Sequence, residues 1–166
     1  MLLPLSLLAQ VKKVYKEYGL MGTRFGFTLI LSPSQQDSSE IFIQAASIEV
    51  ERIESLISSW SKTSETAEIN RNSGIQPTKI STELFHLIKR GQSISKLTDG
   101  AFDLSYAGLN PIWKFDGSMT DLPDSSLVSK SKTLINHSKI HLDENDESVF
   151  LEKKGMRIGF GGIGKG

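Results

Sequence analysis

The hydrophobic period of this 166-residue chain switches repeatedly, and that switching limits its fold more than any other feature. Val14 to Leu20 and Arg24 to Leu31 have strand character, and the second alternates with Phe25, Phe27 and Leu29 on one face; Gly22 and Thr23 lie between them. After a break over Pro33 to Ser39, where Asp37 or a nearby serine can cap a helix, apolar residues recur at helical spacing through Phe42, Ala46, Val50, Ile53 and Ile57. A second helix fits Thr82 to Leu97, with Leu84, Leu87, Ile88, Gly91 and Ile94 as its stripe. Strand patterns return over Lys139 to Leu142, Ser148 to Leu151 and Met156 to Phe160, with Asp143 to Glu147 as a hairpin turn. This order predicts an α+β fold, a mixed or antiparallel sheet with the two longer helices packed on one face.

The remaining segments predict less regular structure. Ser58 to Ile75, rich in Ser, Thr and Asn, reads as a surface loop with a helical turn over Ala67 to Asn70. Ala101 to Gly117 reads as irregular with a turn at Asn110-Pro111, and Asp124 to Lys132 as a short helix.

Composition excludes several classes of partner and chemistry. With 38% hydrophobic and 23% charged residues, the chain can bury one good core. Its 19 basic and 19 acidic residues cancel, and no basic stripe is interleaved with aromatics, which argues against nucleic acid as a partner. The absence of cysteine excludes disulfides, thiolate metal sites and lipidation through a cysteine lipobox. Met1 to Gln10 form a short apolar stretch that reaches small Ala9 before Val11-Lys12-Lys13, the pattern of a signal-peptide remnant; a buried strand or a tail is the plainer alternative. The expected location is therefore export, to the periplasm or cell envelope, with residues 11–166 as the folded domain. No stretch approaches the roughly 20 apolar residues of an integral membrane span.

Two segments concentrate the chemistry: Thr98-Asp99-Gly100-Ala101-Phe102-Asp103, followed by Trp113, and the run Gly161-Gly162-Ile163-Gly164-Lys165-Gly166. Gly100 and Ala101 let backbone approach a ring or phosphate, Asp99 and Asp103 offer acceptors, and the glycines expose main-chain groups to an anion or metal, as a nucleotide site requires. Each residue has a structural rival. Met21 fills a core gap as readily as it lines a pocket, Asp99 and Gly100 can simply end a helix, and Trp113, beside Pro111, Ile112 and Phe115, reads as a core anchor. Asp103 needs donors from a ligand or from neighbouring amides, because an unpaired buried carboxylate is costly. Trp60 sits in a polar loop without a core to fill, and a platform for a ring system suits it. His86, His137 and His141 lack metal-ligand spacing and receive no role. Ser58, Ser59 and Ser61 lack a nucleophile elbow and a nearby base, against a serine hydrolase.

Met21-Gly22-Thr23, Ser58-Ser59-Trp60 with Glu68-Ile69-Asn70, the TDGAFD run, Asn110-Pro111-Ile112-Trp113 and GGIGKG occur in an order and spacing that resemble the ApbE family of FAD:protein FMN transferases. The resemblance extends from about Met21 to Gly166 and implies the N-terminal half of such a protein. It implies a Mg-dependent enzyme that splits FAD, transfers FMN to a threonine or serine of a partner protein, and releases AMP. By the same resemblance FAD contacts fall on Met21, Trp60, Ala101, Phe102, Asp103 and Gly161, and a main-chain Mg ligand on Gly164. The remaining ligands and the catalytic base are expected beyond Gly166, so the 166 residues alone are expected to be inactive. Two other activities fit the same residues: a Mg-dependent FAD pyrophosphatase giving FMN and AMP, and a non-catalytic flavin-binding module.

Overall fold

The computed structural model describes residues 11–113 and 117–164. The signal-peptide reading of Met1 to Gln10 lies outside the described residues, as do Lys165 and Gly166. The chain divides into two compact units, Met1–Glu54 and Ser55–Gly166.

The first unit is a hairpin with a helix along it. Strands β1 (Lys12–Leu20) and β2 (Thr23–Leu31) pair antiparallel, from Lys12 opposite Leu31 to Leu20 opposite Thr23. Met21 and Gly22 form the two-residue turn, with φ of 51° and 65°. Left-handed backbone at both positions is the turn geometry whose twist matches the strands; Gly22 adopts it freely, whereas Met21 does so against its Cβ. The register places Val14, Tyr18, Leu20, Phe25, Phe27, Leu29 and Leu31 on one face. On that face Tyr18 meets Phe27 edge-on at 5.9 Å. Helix α1 (Ser39–Ile57) follows a 3-10 turn over Pro33–Ser38 that Ser32 and Gln35 open with a reciprocal capping box. Near its start Glu40 pairs with Lys16 of β1, and near its end the Glu54 carboxylate accepts from the Met21 N–H at 3.0 Å. The expected stripe holds at Ala46, Val50, Ile53 and Ile57, which are buried or half-buried, but it starts at fully buried Ile43 rather than at exposed Phe42.

The second unit holds a three-stranded antiparallel sheet in the order β3-β5-β4, built from β3 (Thr78–Lys79), β4 (Ile140–Asp143) and β5 (Ser148–Leu151). All strand pairing among the described residues is antiparallel, in two sheets rather than one. Helix α3 (Thr82–Leu97) starts at Ser81, whose hydroxyl accepts from the Leu84 N–H, and its buried face includes Leu84, Phe85, Ile88, Gly91 and Ser95. It lies beside the sheet, since the Gln92 side chain donates to the Ile140 carbonyl at 2.5 Å and Lys89 pairs with Glu144. Helix α4 (Ser125–Lys132) begins at Asp124, whose side chain caps it.

Two expectations need correction. The polar stretch 58–75 contains a helix, α2 (Glu65–Arg71), whose Thr66, Ala67, Ile69 and Asn70 are buried. Its polar side chains are satisfied internally: Ser64 caps the helix, and the Thr66 hydroxyl donates to the Leu56 carbonyl at 2.7 Å. Residues 156–160 bury Met156, Ile158 and Phe160 at a strand's spacing, yet pair with no strand among the described residues. Their main-chain bonds go instead to the Asn70 side chain and the Leu104 carbonyl. No helix among the described residues is long and apolar enough to cross a membrane.

Candidate functional site

The TDGAFD run begins as the end of α3. The Gly100 N–H reaches the Ser95 carbonyl at 2.8 Å and the Asp99 N–H that of Lys96 at 3.3 Å, the paired bonds of a Schellman stop. Asp99 and Gly100 both take left-handed φ, 50° and 80°, so the two end the helix together. The Thr98 hydroxyl accepts from the Phe102 N–H at 3.1 Å, so the chain folds back over the helix end. Ala101 is exposed, and Phe102 and Asp103 are half-buried.

Asp103 then opens a 3-10 turn over Leu104–Leu109. Its Oδ1 accepts from the Ser105 N–H at 2.8 Å and the Ser105 hydroxyl at 2.6 Å, and its Oδ2 from the His137 N–H at 2.8 Å. Ser105 in turn accepts from the Asn136 N–H at 2.7 Å. Neighbouring amides thus supply donors to a carboxylate whose side chain is 9% exposed. His137, which the sequence reading left without a role, takes part through its main chain, with its ring Nδ1 3.5 Å from Asp103 Oδ2.

The glycine run returns to this turn. Asn70 of α2 grips residue 158 at both main-chain groups: its Oδ1 accepts from the Ile158 N–H at 2.7 Å and its Nδ2 donates to the Ile158 carbonyl at 3.1 Å. One residue on, the Gly159 N–H donates to the Leu104 carbonyl at 3.0 Å. The Gly161 N–H then donates to the Tyr106 hydroxyl at 3.2 Å. A Cβ built on Gly162 would meet the Phe102 ring at 3.0 Å, so backbone lies almost directly on that aromatic edge. The turn closes with the Ile163 and Gly164 N–H groups both donating to the Phe160 carbonyl. Two segments far apart in sequence therefore share one surface, lined by Phe102, Tyr106 and the exposed Gly161 and Gly162.

Trp60 belongs to the same unit and is 70% exposed. Its loop is held by serines: Ser58 Oγ accepts from the Ser61 N–H at 3.1 Å, and the Ser64 hydroxyl donates to the Ser58 carbonyl at 2.5 Å. Trp60 is therefore not a core anchor, and its indole is presented to solvent. Trp113 is half-buried. Met21 lies in the other unit, at the hairpin tip, held by the Glu54 carboxylate. Tyr106 and Asn70 hold the glycine run, and sequence reasoning assigned neither that task; the buried, Asn-bearing face of α2 is the signal that bears on Asn70.

The profile of the ApbE family matches residues 21–166. The chain belongs to this family. As an ApbE-family member it is 30% identical over 117 residues to the FAD:protein FMN transferase of Klebsiella pneumoniae strain 342, a match that covers 70% of this chain and 37% of that protein. It is 24% identical over 141 residues to the FAD:protein FMN transferase of Chlamydia muridarum, covering 85% of this chain and 43% of that one. The fold is that of the ApbE protein from Thermotoga maritima, with a TM-score of 0.81 at 24% identity, over 93% of this chain and 49% of that one. It likewise matches the flavin transferase ApbE from Vibrio cholerae, with a TM-score of 0.83 at 18% identity, over 94% of this chain and 50% of the other. The chain thus spans less than half the length of these curated relatives and about half of the solved ApbE structures it matches.

Proposed function

We propose that this chain supplies FAD-binding residues of a Mg-dependent transferase that moves FMN from FAD to a threonine or serine of a partner protein, with AMP as the leaving group. The observation that carries this reading is the seating of the Gly159–Gly162 backbone on Phe102 and Tyr106, together with the fully presented indole of Trp60. The N–H groups of Gly159, Gly161, Ile163 and Gly164 already donate within the protein, so what the run offers a diphosphate is close approach to the exposed, Cβ-less backbone of Gly161 and Gly162. Trp60 offers a face for a flat heterocycle. Asp103 Oδ2, which accepts from the His137 N–H, keeps acceptor capacity for a ligand N–H, and Ala101 adds to the proposed contacts of this unit; Met21 is a separate proposed contact on the first unit.

In the reaction, the acceptor hydroxyl oxygen attacks the FMN phosphorus. The bond from that phosphorus to the bridging oxygen breaks, AMP departs with that oxygen, and the hydroxyl proton passes to a base. The residues described here orient the dinucleotide; none is assigned the base. Mg²⁺ takes near-octahedral oxygen coordination and shares it with substrate phosphates. The proposal gives it one main-chain donor, the Gly164 carbonyl. The described residues gather no group of three His, Cys, Asp or Glu side chains that could hold a metal, so these donors do not complete a site and no step is derived through the ion. Export is part of the proposal and rests on the apolar stretch ending near Ala9, which would put the acceptor protein in the cell envelope.

Titration of the chain with FAD, followed by flavin fluorescence, tests the binding half of this reading. Saturable binding supports it, and Trp60→Ala is expected to weaken binding about tenfold, consistent with loss of a stacking partner, without moving the thermal midpoint. Absence of FAD binding would overturn it. Incubation of these residues joined to the C-terminal half of an ApbE-family relative with FAD, Mg²⁺ and a threonine-bearing acceptor, read by mass spectrometry, tests the chemistry: an FMN adduct supports transfer, free FMN with AMP supports the pyrophosphatase, and intact bound FAD supports the binding module, whereas the 166 residues alone are expected to leave FAD intact.

A further inference from the structure

We propose that Tyr106 is the positioning residue of the glycine turn: its hydroxyl fixes the Gly161 amide, and a side chain at residue 161 would have to displace that hydroxyl and break the bond. Tyr106 stands on the 3-10 turn that Asp103 opens, flanked by buried Ser105 and Ala107, so the base of the side chain is fixed while the residue remains 38% exposed. Its hydroxyl accepts from the Gly161 N–H at 3.2 Å. A Cβ on Gly161 would come within 2.6 Å of that hydroxyl oxygen, with the next ring atom, Cζ, at 3.8 Å. A Cβ on Gly159 would meet the same oxygen at 3.2 Å and the Ala107 Cβ at 3.1 Å.

Gly161 is not among the glycines with left-handed φ, so its backbone accepts an alanine without strain. The obstacle to a side chain there is the hydroxyl oxygen, and removing that one atom leaves an ordinary contact distance to the ring. This makes the two positions reciprocal. Because Gly161 is a proposed FAD contact, the inference rests for its ligand consequence on the FAD-site reading; its structural part does not.

The test uses Tyr106→Phe, Gly161→Ala and the double variant in the full 166-residue chain. In Tyr106→Phe the Gly161 amide resonance is expected to shift upfield and its hydrogen exchange to accelerate at least several-fold, with a nearly unchanged thermal midpoint. FAD affinity is expected to fall about fivefold, the worth of one net hydrogen bond. Gly161→Ala alone is expected to lower the midpoint slightly, and adding Tyr106→Phe to restore most of it, so that losing the hydroxyl is neutral beside glycine and favourable beside alanine, which a merely space-filling tyrosine would not give. An unmoved Gly161 amide, or an alanine at 161 tolerated equally beside Tyr and Phe, overturns the proposal. An altered amide with unaltered FAD affinity overturns the ligand consequence. Failure of the unmodified chain to bind FAD overturns the FAD-site reading, while the amide shift and the rescue still decide Tyr106.

Discussion

The two units are stabilised differently. Between Val11 and Glu54 three apolar side chains are buried, Leu20, Leu31 and Ile43, while seven large ones are exposed, among them Tyr15, Ile30 and Ile41. Among the described residues from Ser55 onward, fifteen apolar side chains are buried and six large ones exposed. The first unit owes its shape to two local devices, a tight turn and a capping box, and to two links that are not local in sequence but lie exposed or only partly buried, the Lys16–Glu40 pair and the Glu54 contact to Met21. The second is held by bonds between distant segments, such as Asn70 to Ile158 and Asp103 to His137. A two-stranded hairpin is marginal by itself. Residues positioned by long-range bonds are therefore expected to be rigid, and Met21 to be as ordered as its turn.

The sharpest test removes the most deeply embedded long-range bond. Asn70→Ala leaves the N–H and C=O of buried Ile158 without partners, each worth about 1–3 kcal/mol, so a loss of about 2–5 kcal/mol is expected in urea unfolding. The loss should accelerate amide exchange throughout the second unit and leave the β1–β2 amides unchanged. Coupled loss of both would break the contrast. Asp103→Ala comes next, removing a cap and the bond to His137, for about 1–3 kcal/mol. Asp103→Asn, which keeps an acceptor at Oδ1, is expected to recover part of it. A large loss of FAD affinity in a folded Asp103→Asn protein would show that the carboxylate also serves the ligand.

How far the sequence revealed this arrangement follows from the range over which each signal acts. Both hairpin strands, α1, α3, α4 and the β4–β5 pair were legible because hydrophobic period is local; the caps Ser81 and Asp124 are local signals too, though the sequence reading did not draw on them. Helix α2 was hidden by composition: Thr66 and Asn70 read as surface until their partners, Leu56 and Ile158, are known. Residues 156–160 carry a strand's alternation, but a strand requires a neighbour, and side chain and turn took that place. At the site, TDGAFD and the glycines were each legible, and so was the possibility that amides satisfy Asp103. Their meeting was not, because Tyr106 gives no periodic signal and acts on glycines far along the chain.

A smaller effect is expected from the turn of the first unit. Gly22→Val forces a β-branched residue into left-handed backbone, at about 1–2 kcal/mol. The expected outcome is fraying of β1 and β2 in exchange or NMR, with the buried amides near Ile158 unaffected. If the second unit loosens as well, hairpin and core are one cooperative structure and the contrast fails.

The smallest effect belongs to a local device inside the second unit, and so asks whether the contrast concerns units or the kind of bond. Asp124 caps α4 and accepts from the Ser126 hydroxyl and from the Ser126 and Leu127 N–H groups. The Ser126 hydroxyl, then the two amides, hold its carboxyl below the usual carboxylate range. A carboxyl lowered on folding contributes stability above its unfolded value and loses that contribution as pH falls through the folded one. Exchange at Ser126 and Leu127 is thus expected to accelerate only at pH below the ordinary aspartate range, while amides around Ile158 stay protected. Asp124→Asn, still a good N-cap, should abolish this pH dependence and keep the helix. Exchange at Ile158 that follows the same acid titration would show α4 to be coupled to the core, and the distinction between local and long-range bonds would then fail within a single unit.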